Sequence, residues 1–217
     1  MEAAYYLENL YDVNHLKGEL DTMYPICTDL DSYTKIIHRG DSTFSMMETF
    51  DSHIDAVSHL DKMQKWYELN SNAILAQMCV NGGELEWESY PNLYNWIIEK
   101  SKELFGRKIN RKFTISISKP LLTLYTKNCL LTPHKDGKPD NYENLPNYKA
   151  ANVLLYLNKD YKKEYGGNFI VDGDEIVPEF ANILFLNFSG DSDPEHSVSV
   201  ITEDINRFAL LFNIQYS

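Results

Sequence analysis

Cysteine is scarce in this chain: Cys27, Cys79 and Cys129 stand far apart, and no C-x-x-C occurs. An odd, scattered set excludes a disulfide framework and a zinc knuckle, and fits a reducing compartment. No apolar run is long enough to span a bilayer. The opening Met1-Glu2-Ala3-Ala4-Tyr5-Tyr6 has no basic stretch followed by an apolar one, so it does not read as a signal peptide. A cytoplasmic protein with no membrane partner is therefore expected. Positive charge is also in deficit: 20 Lys and Arg face 32 Asp and Glu, for a formal net charge of -12. Such a surface repels phosphate backbones, and nucleic acid is not expected as a partner. Internal repeats and low-complexity segments are missing too, which excludes a solenoid.

What is present is aromatic. Among 217 residues there are 15 Tyr, 10 Phe and 3 Trp, which suits a β-rich core. The length allows one large domain, read here as 1–217, with 1–111 mainly helical support and 112–217 a β core. From Ile54 to Met78, the residues Val57, Leu60, Met63 and Tyr67 fall at helical spacing, with a break at Asn70-Ser71-Asn72 and an end at Asn81-Gly82-Gly83. A second helix is expected from Pro91 to Leu104. Proline suits its first turn, Gly106 suits the position past its end, and Leu93, Trp96, Ile97 and Leu104 form its buried stripe.

The pattern changes near Lys112. Phe113–Ser118 alternates apolar and polar residues, as a half-buried strand does. Further strands are expected at Leu121–Tyr125, Asn152–Leu157, Asn168–Val171, Ile183–Phe188, Glu195–Ile201 and Arg207–Gln215. Asp136-Gly137, Gly166-Gly167, Asp172-Gly173 and Ser189-Gly190 mark turns between them. The fold class is thus α+β: a double-stranded β-helix (jelly roll) in the C-terminal half, backed by helices from the N-terminal half.

His-x-Asp occurs three times, at His53-Ile54-Asp55, His59-Leu60-Asp61 and His134-Lys135-Asp136. On a helix the two side chains diverge by about 200° and chelate poorly. On an extended backbone they point the same way and can share a metal. The first two copies lie in a helical pattern and the third beside a strand, so His134 and Asp136 are the candidate ligands. His196 is the one histidine downstream of them, in the strand-like His196-Ser-Val-Ser-Val. Two imidazoles and a carboxylate can take one face of a ferrous ion and leave other positions open. Arg207 follows eleven residues later, and a hairpin through Thr202–Asn206 would bring its strand back beside that of His196. Its planar fork matches a carboxylate.

These residues, with their order and spacing, resemble the 2-oxoglutarate- and Fe(II)-dependent oxygenases, and most of all the prolyl hydroxylase (prolyl 4-hydroxylase-like) branch. The resemblance runs from Thr123 to Tyr216. It is carried by Leu124-Tyr125, Pro133-His134-Lys135-Asp136, Val153–Asp160, Tyr165–Phe169, Ile183–Phe185, Pro194–Val198 and Arg207-Phe208-Ala209.

The resemblance implies that His134, Asp136 and His196 are catalytic iron ligands. It implies that Arg207 and Tyr156 hold the distal carboxylate of 2-oxoglutarate, and that Tyr125 lines the same pocket. The cofactors are Fe(II), 2-oxoglutarate as co-substrate, and O2, with ascorbate as a candidate reductant. The implied reaction is hydroxylation of an aliphatic C–H, in a prolyl residue of a peptide or protein or in free proline, with release of succinate and CO2. Asp136 stands where halogenating relatives lose the carboxylate, and Ala209 where some relatives carry serine. Asn213 replaces a frequent tryptophan. The polar stretch Gly137–Tyr148 is a candidate substrate loop. A cupin-like jelly roll that binds metal or ligand without 2-oxoglutarate stays open as the alternative, as does an interaction module.

Overall fold

The computed structural model describes residues 4–39, 45–59, 62, 76–80, 85–105, 114–136, 148–188 and 193–216. In the first half, four strands stand where the sequence reads as mainly helical: β1 (Tyr5–Asn9), β2 (Lys35–Arg39), β3 (Ser45–Thr49) and β4 (Ala76–Val80). Helix α1 spans Lys17–Cys27, a helical run at 53–59 forms α2, and α3 spans Pro91–Phe105. The expected helix from Ile54 to Met78 is corrected at its far end, since Ala76–Val80 forms a ladder with β2, Ile37 opposite Met78. Pairing with a distant strand overrides a local helical pattern. Leu60, Met63, Tyr67 and the turns at 70–72 and 81–83 lie outside the described residues. Helix α3 matches its expected bounds, and its last residue Phe105 joins Leu93 and Ile97 in the core, with Trp96 and Leu104 packed against it.

The second half supplies β5 (Ile115–Ile117), β6 (Leu121–Tyr125), β7 (Leu131–His134), β8 (Tyr148–Tyr156), β9 (Phe169–Val171), β10 (Asp174–Ile176), β11 (Asn182–Asn187), β12 (His196–Val198) and β13 (Arg207–Tyr216). All ladders are antiparallel. The strand order is β1-β11-β8-β13-β6-β4-β7-β12-β9-β10, with β2 and β3 branching from β4 and β5 from β13. This is the α+β jelly roll that the alternation predicts. Asp172 and Gly173 both have positive φ, so the β9–β10 connection is the tight turn that glycine and aspartate permit.

Side-chain alternation divides the central strands into two faces. On β8, Val153 and Leu155 lie opposite Phe185 and Ile183 of β11 and opposite Phe212 and Leu210 of β13. All six are buried, and each such burial contributes roughly 1.5–3 kcal/mol. Trp96 and Phe105 of α3 meet Phe185 at tilted angles, and Trp87 meets Phe212 edge-on. That face is the seat of the helices. Glu19 of α1 accepts hydrogen bonds from the backbone N–H groups of Asn92 and Leu93 at 3.0 and 2.7 Å, satisfying the start of α3 and tying the two helices together. The opposite face carries Asn152, Leu154 and Tyr156 of β8 and Asn213, Leu211 and Ala209 of β13. It lines the interior of the roll.

Candidate metal centre

His134 closes β7 and His196 opens β12, and the ladder sets the two opposite each other. Their rings lie 4.3 Å apart between centroids. Each ring is anchored through Nδ1 to the backbone carbonyl two residues earlier, His134 to Thr132 at 2.9 Å and His196 to Pro194 at 3.1 Å. A carbonyl only accepts, so Nδ1 carries the proton and Nε2 keeps its lone pair. Both Nε2 atoms face one oxygen of Asp136: its Oδ1 lies 3.5 Å from His134 and 3.9 Å from His196. One donor atom from each residue falls within 4.8 Å of the others. Phe169 stacks on the His196 ring at 5.6 Å and walls one side.

The other two copies of His-x-Asp take no part. His53 and Asp55 sit in α2, where Ser52 and Asp55 cap the helix start: Asp55 N–H donates to Ser52 Oγ, and the Ser52 hydroxyl donates to Oδ2 of Asp55. His59 is helical as well, and Asp61 lies outside the described residues.

Arg207 is 0% exposed, and no hydrogen-bond partner from the described residues meets its Nε or either terminal nitrogen. Its guanidinium lies over the rings of Tyr125 at 4.9 Å and Tyr156 at 5.1 Å. The buried Tyr156 hydroxyl likewise meets no hydrogen-bond partner among the described residues. Burial pushes the Tyr156 pKa up to about 12 against the pull of the nearby Arg207 charge, so the hydroxyl stays a proton donor at neutral pH. The expected hairpin between the His196 and Arg207 strands is corrected: β12 pairs with β7 and β9, while β13 pairs with β6 and β8. The chain crosses from one side of the roll to the other between them, and Arg207 lands opposite Tyr125.

Residues not singled out in the sequence complete the arrangement. Asn152 Nδ2 donates to Asp136 Oδ2 at 2.7 Å. It shares the interior face of β8 with Tyr156, so strand alternation would have flagged it. Asn158 binds both the N–H and the C=O of Phe208, fixing the backbone beside Arg207. Gly167 has φ +64, and a Cβ there would come within 2.9 Å of Arg207 Cδ and 2.7 Å of the Tyr161 hydroxyl. The stretch 137–147 lies outside the described residues, and Tyr148 begins β8.

Two solved structures overlay on nearly the whole chain. One is the viral collagen prolyl hydroxylase vCPH from Paramecium bursaria Chlorella virus-1 in complex with 2-oxoglutarate. It has a TM-score of 0.58 and 11% identity, with 98% of this chain and 96% of that one covered. The other is an oxidoreductase of the 2OG-Fe(II) oxygenase family from Burkholderia pseudomallei. Its TM-score is 0.54 at 12% identity, covering 98% of this chain and 85% of that one. The chain has the fold of the 2-oxoglutarate- and Fe(II)-dependent oxygenases. No family model matches the sequence. A curated relative, the serine protease sat autotransporter of Escherichia coli O6:H1, is 27% identical over 150 residues; these make up 68% of this chain and 11% of that protein. The chain thus corresponds to a small part of that relative, which carries no activity across. In this oxygenase fold, the His-Asp-His group and the buried arginine both belong to the β framework rather than to the helical layer. Among the described residues, no helix is long and apolar enough to cross a membrane.

Proposed function

We propose that this chain is an Fe(II)- and 2-oxoglutarate-dependent dioxygenase that hydroxylates an aliphatic C–H, in a prolyl residue of a peptide or protein or in free proline. The observation that carries the reading is the buried guanidinium of Arg207, which meets no hydrogen-bond partner among the described residues, in a roll that also holds a His-Asp-His group. A jelly roll that needed only a metal would leave that charge buried without an anion, at a cost of several kcal/mol. A dicarboxylate co-substrate supplies the anion.

In this reading His134, Asp136 and His196 hold Fe(II), and the donor set fits: two imidazoles tied back through Nδ1 with Nε2 turned to the centre, and one carboxylate. Iron held there supplies oxygen activation coupled to decarboxylation of 2-oxoglutarate to succinate and CO2. Arg207 pairs with the distal carboxylate through its fork, and the Tyr156 hydroxyl donates to the same group. Tyr125, stacked on the guanidinium, fixes its plane and walls the co-substrate pocket. Phe169, beside His196, shields that side of the centre from water. Ascorbate serves as an external reductant. The three cysteines are buried and form no disulfide among the described residues, and a cytoplasmic setting belongs to the same proposal. The whole chain, 1–217, works as one oxygenase domain, with its first 111 residues in support.

The test is succinate release from protein incubated with Fe(II), 2-oxoglutarate, oxygen and proline-containing peptides or free proline. Turnover that vanishes in His196→Ala is expected. Equal succinate from both proteins across the peptide panel would refute the oxygenase reading.

A further inference from the structure

We infer that Asn152 is a positioning residue for the metal carboxylate: it holds one oxygen of Asp136, so that a metal is offered only the other. The inference rests on the iron site proposed above and adds a residue to it. Asn152 Nδ2 donates to Oδ2 of Asp136 at 2.7 Å. A carboxamide oxygen in that place would repel the carboxylate, so the NH2 end must face it. The other oxygen, Oδ1, is the one turned to both imidazoles, at 3.5 and 3.9 Å. The two carboxylate oxygens therefore have divided tasks before any metal arrives.

Asp136 needs such a hold because of where it lies. It stands two residues past the end of β7, outside any ladder. Asn152 sits inside β8, between Leu186 of β11 and Asn213 of β13, so its backbone is fixed on both sides. Strands β7 and β8 are four places apart in the strand order. The bond therefore crosses the interior of the roll, from a strand paired on both sides to a ligand beyond the end of its own strand. The consequence is a donor count. A carboxylate free to turn can bind through both oxygens and occupy a position that co-substrate or oxygen requires. Held by Asn152, the triad presents three donor atoms and leaves the remaining positions open.

Cobalt(II) titration, followed by d–d absorption with far-UV circular dichroism as a check on folding, tests this. Folded Asn152→Leu, close in shape but without a donor, should bind Co(II) about 10–100-fold more weakly than the unaltered protein. Its absorption should shift as the carboxylate turns, and Asn152→Gln, which keeps the NH2 group, should recover part of both. Unchanged affinity and absorption in Asn152→Leu would overturn the inference. Should that variant not fold, the same unchanged result in Asn152→Ala, which also lacks a donor, would overturn it equally. Failure of the iron-site reading looks different: the unaltered protein would bind no Co(II), or His196→Ala would bind it as well as the unaltered protein.

Discussion

Replacing Arg207 with methionine should move stability and ligand binding in opposite directions. The side chain is completely buried, and its three guanidinium nitrogens meet no hydrogen-bond partner among the described residues. Burying a charge without a counter-ion costs several kcal/mol. Against that stand two stacked tyrosines at 4.9 and 5.1 Å, together worth about 1–4 kcal/mol as cation–π contacts. Desolvation outweighs this attraction, so an apolar side chain of similar reach should leave the ligand-free protein as stable as before or more so, by up to ~3 kcal/mol. For a chain of this length that is about 2–4 °C in Tm per kcal/mol. Binding should change the other way. Two charge-assisted hydrogen bonds to a carboxylate contribute about 1.5–3 kcal/mol each. Their loss should weaken 2-oxoglutarate by roughly 10²–10⁴-fold. Thermal unfolding with Mn(II), with and without 2-oxoglutarate, reads both effects. The unaltered protein at about 100 times Kd should gain ~2.7 kcal/mol, a rise of roughly 5–10 °C, and Arg207→Met should show no such rise. A methionine variant that is several degrees less stable, yet still stabilised by 2-oxoglutarate, would show that Arg207 serves packing and not an anion.

Gly167→Ala places a Cβ against Arg207 Cδ and the Tyr161 hydroxyl at a backbone φ of +64. The left-handed conformation alone costs about 1–2 kcal/mol, so a lower Tm together with weakened 2-oxoglutarate binding is expected; normal affinity would separate the glycine from the pocket. Alkaline pH should destabilise the protein. Burial pushes the Cys27 and Cys79 thiols from 9.0 up to about 12, and Tyr156 from 10.0 up to about 12. Their raised values mean that the folded state holds these protons more tightly. The contribution is complete below pH 9 and is lost as pH climbs toward 12, at about 1.4 kcal/mol per pH unit for each group that ionises only when unfolded. Urea midpoints from pH 8 to 11 check this, and a flat profile contradicts it.

Much of the architecture was legible because it is encoded locally. A helical stripe led to α3 within a residue of its end. The alternating stretches led to the strands of the roll, with boundaries shifted by a residue or more where ladders end. Turn residues marked the β9–β10 connection for the same reason: glycine and aspartate tolerate the positive φ it needs. The same locality misled at Ala76–Val80. The residues at helical spacing all lie before it, and the segment itself is held by a strand about forty residues earlier in the chain. The hairpin drawn from His196 to Arg207 failed in the same way, because the ten intervening residues suffice to cross the roll as easily as to fold back.

The sequence by itself determined which donors exist and which of the His-x-Asp copies has an extended backbone. It also placed an arginine and a tyrosine on strands of the same roll. Only the tertiary structure decided how these groups meet. The ladder that sets His134 opposite His196, the carboxamide of Asn152 on Asp136 and the sealing of Arg207 between two tyrosine rings all join residues from separate segments of the chain. Periodicity reports which face a side chain takes within one element. Hydrogen bonds, burial and the cost of an unpaired charge depend on what the neighbouring element brings, and that is set by register and strand order, which no local pattern contains.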